Sequence, residues 1–147
     1  MKISTKGRYG LRILLDIAVN QDRGPVNIRD IGRRQAISEK YLWQVVNRLK
    51  GAGLVQSVRG AKGGYMLAKA PERITVEDAV SVLEGPLILV ACSGEQTKCE
   101  RSEQCVTRGV WAELEQKIHE VMSSITLSEL VKRHKDAVTN TSPSYVI

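Results

Sequence analysis

The sequence predicts a mainly α-helical fold that carries one small β-hairpin. Apolar residues recur at helical spacing over several segments, and a glycine-rich turn flanked by short apolar runs follows the third of these segments. Aromatic residues make up only 4% of the chain and Phe is absent, so the core is expected to consist mainly of Leu, Ile, Val and Ala. A length of 147 residues fits one domain, or one domain with an appended dimerisation element.

Three helices are predicted before the glycine-rich turn. Each begins at a residue type that caps helices, namely Ser4 or Thr5, Asn27 and Ser38. Each carries an apolar face for the core: Leu11, Leu14, Leu15 and Ala18 in the first, Ile28 and Ile31 in the second, and Leu42, Val45, Val46 and Leu49 in the third. The third helix has the clearest pattern.

A hairpin follows the third helix. Leu54 to Arg59 predicts a strand, Gly60 to Gly64 a flexible turn, and Tyr65 to Leu67 the returning strand. A fourth helix is expected from Thr75, whose hydroxyl forms an approximate capping box with Asp78. This order of elements is that of a winged helix-turn-helix, to which we assign residues 1–85.

The second half predicts a different kind of unit. Residues 86–105 form a loop that contains three cysteines, and a long helix is expected from about Val106. Its apolar stripe is Val110, Leu114, Ile118, Met122 and Ile125. Thr126 caps a short last helix, so residues 106–135 are assigned to a dimerisation helix with this appendage. Residues 136–147 are polar and are expected to be a flexible tail.

The two halves also differ in charge. Residues 1–70 contain 14 Lys and Arg against four Asp and Glu, a net +10, whereas residues 71–147 contain eight against 12, a net −4. A basic half beside an acidic half indicates a polyanion-binding module joined to a second unit. No apolar run reaches the length of a membrane span and the N-terminus does not resemble a signal peptide, so we expect a cytoplasmic protein without membrane association.

The third helix is the candidate recognition helix. Its core stripe leaves Ser38, Lys40, Tyr41, Gln44 and Arg48 on other faces, where they can meet DNA. Gln44 suits adenine, while the residues at its N-terminal end suit phosphates or bases. Ser38 has the alternative of capping only, and Tyr41 of packing on the second helix only.

Two further features bear on DNA reading. Trp43 is expected either to contact a base or sugar edge or to lie over the hairpin. The hairpin turn brings cations together with glycines that let the backbone approach phosphates. Its candidate DNA-binding residues are Arg59, Gly60, Lys62, Gly63 and Gly64.

The cysteines are Cys92, Cys99 and Cys105, in a C-x6-C-x5-C pattern. The spacing matches neither zinc ribbons nor the ferredoxin run, and an odd number disfavours a disulfide framework. Clustering in one polar loop favours a soft-metal site with thiolate ligands. Nearby Lys98, Arg101 and Arg108 are expected to keep the thiols deprotonated.

Several motifs together resemble the IscR-like iron–sulfur cluster regulators. They are Lys6 to Gly10, Ser38 to Leu42, Val58 to Gly60, Gly63 to Tyr65, Ile125 to Leu127, and Glu129-Leu130, within a resemblance that runs from Met1 to about His134. The resemblance implies a homodimer paired through the long helix and bound to palindrome-like double-stranded DNA. It implies DNA contacts by Ser38, Tyr41, Gln44 and Arg59, and control by an iron–sulfur cluster on the cysteines, with 2Fe–2S favoured over 4Fe–4S.

The expected function is therefore a repressor, or a repressor and activator, of cluster-biogenesis or iron-related genes. The alternative is a cluster-free regulator of the same fold that responds to thiol oxidation or to a partner enzyme. An enzyme is not expected, since the sequence has no phosphate loop, no paired catalytic carboxylates and no Ser/His/Asp set.

Three positions depart from the family pattern. Trp43 stands where IscR has an acidic residue, Arg108 where it has a His, and Arg8 where other relatives have an acidic ligand from the partner subunit. Because Arg does not ligate iron, the fourth ligand stays open. The candidates are Glu95, Glu100, Glu103, His119 or a small molecule.

Overall fold

The computed structural model describes residues 3–93 and 99–141. Its elements are α1 (Thr5–Asn20), α2 (Ile28–Gln35), α3 (Glu39–Gly51), β1 (Val55–Val58), β2 (Gly64–Leu67), α4 (Val76–Glu84), α5 (Val106–Ser124) and α6 (Leu127–Thr141). The two strands pair antiparallel with Val58 opposite Gly64. The expected mainly helical class with one hairpin wing is confirmed. None of the helices in the described ranges is long and apolar enough to cross a membrane.

The helix starts lie where the capping residues predicted them. Ser4, Asn27 and Ser38 each accept a hydrogen bond from a backbone N–H in the first turn of α1, α2 and α3. Thr75 and Asp78 form both halves of the capping box at the start of α4. Ala36 has a φ of 53°, and this left-handed residue makes the tight turn between α2 and α3.

The core lies where α1 crosses the other elements. The α3 residues Leu42, Val45, Val46 and Leu49 are all buried, as their spacing predicts. In α1 the fully buried residues are Ile13, Leu14 and Ile17, while Leu11 and Leu15 are only partly covered. The predicted apolar face of α1 therefore omits Ile13 and Ile17. The buried surface of α1 is wider than predicted because α1 packs against α2, α3, α4, α6 and the hairpin at once.

The last helix returns to the winged unit. The Leu127 N–H donates to the Ile74 carbonyl at 2.7 Å, the Val76 N–H donates to the Ile125 carbonyl at 2.9 Å, and Leu127 is only 1% exposed. The winged unit is thus completed by residues from the far end of the chain, although the sequence division placed them with the dimerisation helix.

This helix is also longer than expected. It runs to Thr141, so residues 136–141 of the expected flexible tail are helical. Polar residues are accommodated because the helix surface is exposed and the hydroxyls of Thr139 and Thr141 donate to carbonyls four residues earlier. Residues 142–147 lie outside the described residues.

Candidate nucleic-acid interface and cysteine loop

The exposed face of α3 carries the predicted base-reading residues. The side chains of Lys40, Gln44 and Asn47 lie opposite the buried stripe, at the centre of this face. Trp43 and Arg48 flank them on opposite sides, each about 70° around the helix from the centre. A groove between α1 and α3 is lined by Lys6, Tyr41, Gln44, Val45 and Arg48, so the structure adds Lys6 to the basic surface.

Tyr41 packs on the first helix. Its ring meets Tyr9 edge-on, with centroids 5.8 Å apart and an interplanar angle of 88°. The guanidinium carbons of Arg8 and Arg12 lie 5.8 and 5.2 Å from the centre of the Tyr9 ring. Cations and aromatic rings therefore form one continuous surface beside the start of α3.

An ion pair between the buried Asp16 and the partly exposed Arg34 joins the first two helices. Asp16 is 4% exposed, and its carboxylate accepts hydrogen bonds from Arg34 Nη2 at 2.6 Å and Gln35 Nε2 at 2.8 Å. The hydrogen bond to Asp16 raises the pKa of Arg34. Arg12 donates to the Gln35 carbonyl at 2.7 Å. These contacts join α1 to the end of α2. The only sequence signal is an Asp within the otherwise apolar face of α1.

The wing turn spans residues 59–63 and presents both cations. Arg59 and Lys62 are exposed, and Gly60 has a φ of 120° that favours glycine. The Gly63 N–H donates to the Gly60 carbonyl at 3.0 Å. A side chain on Gly63 would collide with the Val58 carbonyl, and one on Gly64 would lie 2.5 Å from the Val26 carbonyl. These glycines are therefore required by the backbone, whether or not DNA is bound.

The structure places Trp43 against the hairpin. Its ring meets Tyr65 of β2 edge-on, with centroids 6.0 Å apart, yet 46% of the residue remains exposed. Tyr65 itself is buried, which raises the pKa of its phenol, and its backbone pairs with Val26 through two hydrogen bonds of 2.8 Å. The second of the two expected placements is thus observed, and an exposed part of the indole is left over.

The three cysteines are free thiols, and only Cys105 lies at the first turn of α5. Cys92 is partly exposed in a 3-10 turn over Ala91–Ser93, Cys99 is exposed, and Cys105 is the N-terminal cap of α5. The Thr107 hydroxyl lies 3.2 Å from the Cys105 Sγ. This contact, helped by the backbone N–H and charge of Arg108, lowers the pKa of the Cys105 thiol. Arg108 thus favours the thiolate as predicted, Thr107 was missed, and Lys98 lies outside the described residues.

Glu115 ties the segment around Cys92 to α5. Its carboxylate accepts hydrogen bonds of 2.5 Å from the Leu89 N–H and from the Ser93 hydroxyl. These donors lower the pKa of Glu115, the Ser93 hydroxyl most strongly. Nothing in the local sequence distinguished this Glu from the other acidic residues of α5.

The thiols of the loop are suitable ligands for an iron–sulfur cluster. The described residues, however, do not bring a complete set of ligands together. Within residues 3–93 and 99–141, no three His, Cys, Asp or Glu side chains are grouped to hold one ion. His119 contacts Glu77 of α4 and lies about 21 Å along α5 from Cys105. It therefore joins α5 to α4 and is a poor fourth ligand within one chain. Glu100 and Glu103 are exposed, and Glu95 lies outside the described residues.

The long helix α5 buries none of its 19 residues within the chain. Val110, Leu114 and Val121 are 51%, 45% and 57% exposed, and they share one face of the helix. The remaining members of the predicted stripe, Ile118, Met122 and Ile125, are partly covered, and Met122 lines a groove together with Val80 and Ser81 of α4.

Comparison with known proteins now adds to this geometry. A family model described as Rrf2, iron-dependent transcriptional regulator, matches residues 3–133. The chain belongs to the Rrf2 family.

Relatives within the Rrf2 family are similar along most of their length. The HTH-type transcriptional regulator IscR of Xenorhabdus nematophila is 38% identical over 135 residues, which cover 92% of this chain and 82% of that protein. The solved structure of T. potens IscR has a TM-score of 0.77 and 42% identity, and covers 93% of this chain and 90% of its own.

CymR of B. subtilis, the global cysteine regulator, also has a TM-score of 0.77 with 40% identity, and covers 90% of this chain and 98% of its own. The resemblance to IscR-like regulators is therefore confirmed. The chain is a DNA-binding transcriptional regulator and not an enzyme.

Proposed function

We propose that this Rrf2-family chain is a cytoplasmic homodimer that binds a palindrome-like operator under the control of an iron–sulfur cluster held by Cys92, Cys99 and Cys105. It acts as a repressor, or as a repressor and activator, of cluster-biogenesis or iron-related genes. One observation carries the proposal. Three free thiols lie in the segment before α5 and at its first turn, the apolar face of α5 is exposed, and α5 joins the winged unit at its other end.

The DNA interface comprises the exposed recognition-helix residues and the wing tip. The proposed contacts are Ser38, Lys40, Tyr41, Gln44, Arg48, Arg59, Gly60, Lys62, Gly63 and Gly64. Gln44 lies at the centre of the exposed face, where a helix in the major groove meets base edges. Arg59 lies at the tip of the wing, the position from which a cation reaches a neighbouring minor groove. Two such units in a symmetric dimer read two half-sites.

Support for the dimer comes from α5. Its face of Val110, Leu114 and Val121 is apolar, and contact with the same face of a second copy buries it. In the proposed dimer each cysteine loop lies beside one of the paired helices, because Glu115 holds the Cys92 segment on α5 and Cys105 caps its first turn. A change at either loop then alters the position of the pair and the separation of the recognition helices.

The thiols supply the cluster ligands. Cys105 favours the thiolate because its Sγ meets the Thr107 hydroxyl at the N-terminal end of α5. Glu115 holds the Cys92 segment on the same helix through Leu89 and Ser93. A bound cluster would supply an iron centre whose reduction potential depends on cluster type, net charge and hydrogen bonds to the sulfurs. We favour a 2Fe–2S over a 4Fe–4S cluster, with a fourth ligand from outside the cysteine set.

Anaerobic reconstitution with iron and sulfide tests this proposal. We expect charge-transfer absorption in the visible range from the intact chain, and its loss in Cys92→Ala, Cys99→Ala and Cys105→Ala. Ser102→Ala, a substitution of similar size in the same loop, is the control and is expected to retain the absorption. Operator affinity is then compared between the apo and the loaded protein. Absence of iron from the reduced wild-type chain would overturn the cluster assignment.

The cluster-free alternative is favoured by one specific observation. Cys105 is partly exposed and its thiol pKa is lowered, which makes it reactive toward oxidants. The similar solved structure of CymR is also that of a regulator named for cysteine and not for iron. A chain that stays colourless anaerobically, and whose operator affinity changes with peroxide in the wild type but not in Cys105→Ala, would establish this alternative.

A further inference from the structure

Trp43 is an apolar exception on a polar surface. The other exposed side chains of α3 are charged or amide residues, namely Glu39, Lys40, Gln44, Asn47, Arg48 and Lys50. Trp43 keeps 46% of its surface exposed among them. A large apolar ring left open on a binding face indicates contact with an apolar group of the bound partner.

The indole is held in place from behind. Its edge-on contact with Tyr65 joins the recognition helix to β2, and β2 is fixed to the body by the two backbone hydrogen bonds between Tyr65 and Val26. Tyr65 is 7% exposed and therefore does not move freely. A ring fixed in this way loses little conformational entropy when it meets a ligand.

The position of Trp43 determines what it meets. It lies about 70° from the centre of the exposed face, on the side of the wing, while Gln44 lies close to the centre. With α3 in the major groove, Trp43 therefore lies over the base pairs beside those that Gln44 reads. The apolar group that the major groove offers is the C5-methyl of thymine.

We infer that Trp43 is a specificity-determining residue that contacts a thymine C5-methyl on the wing side of each half-site, with Tyr65 as its positioning residue. The inference rests on the proposed placement of α3 in the major groove. It predicts that each half-site requires a thymine at one position because of its methyl group and not because of its hydrogen-bonding groups.

Exchange of thymine for deoxyuridine tests this directly, because only the methyl group is removed. The operator is first selected from random duplexes with the full-length chain, and each thymine is then replaced in turn. We expect the wild type to lose affinity about fourfold at one position per half-site, and about fifteenfold when both are replaced. Trp43→Ala is expected to bind the thymine and the deoxyuridine operators with equal affinity. Trp43→Phe is expected to retain part of the preference for thymine.

Lys62→Ala is the matched control. It lies on the wing, and it is expected to weaken both operators by the same factor and leave the methyl ratio unchanged. Equal wild-type affinities for thymine and deoxyuridine at every position would overturn the inference while leaving the proposed function intact. The inference would also be overturned if Trp43→Ala kept the wild-type ratio of affinities for the thymine and deoxyuridine operators. It would be overturned as well if Trp43→Ala reduced the salt dependence of binding, because that result indicates a phosphate contact. Failure of the wild type to select any duplex would overturn the proposed DNA interface and this inference together.

Discussion

At the scale of single residues, the N-terminal Lys6 to Gly10 motif is explained by packing. Gly7 and Gly10 are buried where α1 crosses α4, and Glu84 at the end of α4 accepts hydrogen bonds from Gly7 N–H at 2.8 Å and from Ser4 Oγ at 2.5 Å. The missing side chains let the helices approach, and the carboxylate satisfies donors at the N-terminus of α1. A motif that helped to identify the family thus owes part of its pattern to a helix crossing.

Gly10→Ala is expected to lower the free energy of unfolding by about 1–3 kcal/mol, since the new Cβ collides with the buried side chain of Leu83. Chemical denaturation at one protein concentration measures it. Gly51→Ala is the control, because Gly51 lies at the end of α3 with open space around it. It is expected to be neutral or to stabilise by up to about 1 kcal/mol. Equal effects of the two substitutions would contradict the packing argument.

Glu84 also predicts a pH dependence. Hydrogen bonds from Ser4, assisted by the Gly7 N–H, hold the pKa of Glu84 below its ordinary value. A lowered pKa means that this stabilisation is present above the ordinary carboxyl range and is lost as the pH falls through the lowered pKa. Glu84→Gln should therefore be less stable than the wild type at pH 7, by about 1 kcal/mol.

The difference in free energy of unfolding between the wild type and Glu84→Gln should narrow as the pH falls below about 4. Denaturation at pH 7 and at acid pH measures this difference. Glu72→Gln, at an exposed carboxylate, is the control and should change little at either pH. A constant gap between wild type and Glu84→Gln across this range would refute the assignment.

At the scale of elements, the wing is a hairpin fastened to the helical body. Val26 pairs with Tyr65, and Gly64 has no side chain because the Val26 backbone passes directly behind it. The wing turn therefore projects from a fixed base. Fixing the base reduces the entropy lost when Arg59 and Lys62 meet DNA.

The two wing cations should behave differently. Arg59→Ala is expected to weaken operator binding by about 1–3 kcal/mol if the side chain reads bases or a narrow groove. Lys62→Ala is expected to weaken specific and non-specific DNA alike and to lower the salt slope by about one. Gel shifts over a range of salt concentrations measure both. Unchanged affinity in both variants would rule out the wing as a DNA contact.

Elements whose signals are local were predictable from the sequence. Ser38 with the stripe at Leu42 and Leu49 located α3, and the glycine turn located the wing, because caps and turns depend on neighbouring residues. The packing of α6 on the winged unit was not predictable, because the burial of Leu127 beside Ile74 arises from contacts between distant segments. Glu84, Asp16 and Glu115 were missed for the same reason, because each finds its partners on another element.

At the scale of the whole molecule, α5 stands apart from the rest. It is about 28 Å long, joins the body at Ile125 and through His119, and leaves one apolar face uncovered. The winged unit buries its core without that face. The single chain therefore consists of a DNA-binding unit with a complete core and a long helix whose exposed apolar face is available to a second copy.

Leu114→Arg is expected to convert the proposed dimer to monomers, because a charge enters the centre of the apolar face. Sedimentation measures the oligomeric state, and operator affinity should fall about tenfold or more, since each monomer reads only one half-site. Ala112→Arg adds the same charge on the other side of α5 and is expected to leave the dimer intact. A Leu114→Arg protein that remains dimeric would exclude this face as the interface.

The return of α6 to the winged unit has a consequence for the order of synthesis. Ile74 and Val76 receive their backbone hydrogen-bond partners from Ile125 and Leu127, which are synthesised about fifty residues later. Helix α1 packs against α6, which is synthesised more than a hundred residues after it. A ribosome that has released only the helices and wing of the first half has thus released a body with an open apolar cleft. Nascent chains of this protein should acquire protease resistance late, when α6 emerges from the exit tunnel and closes the cleft.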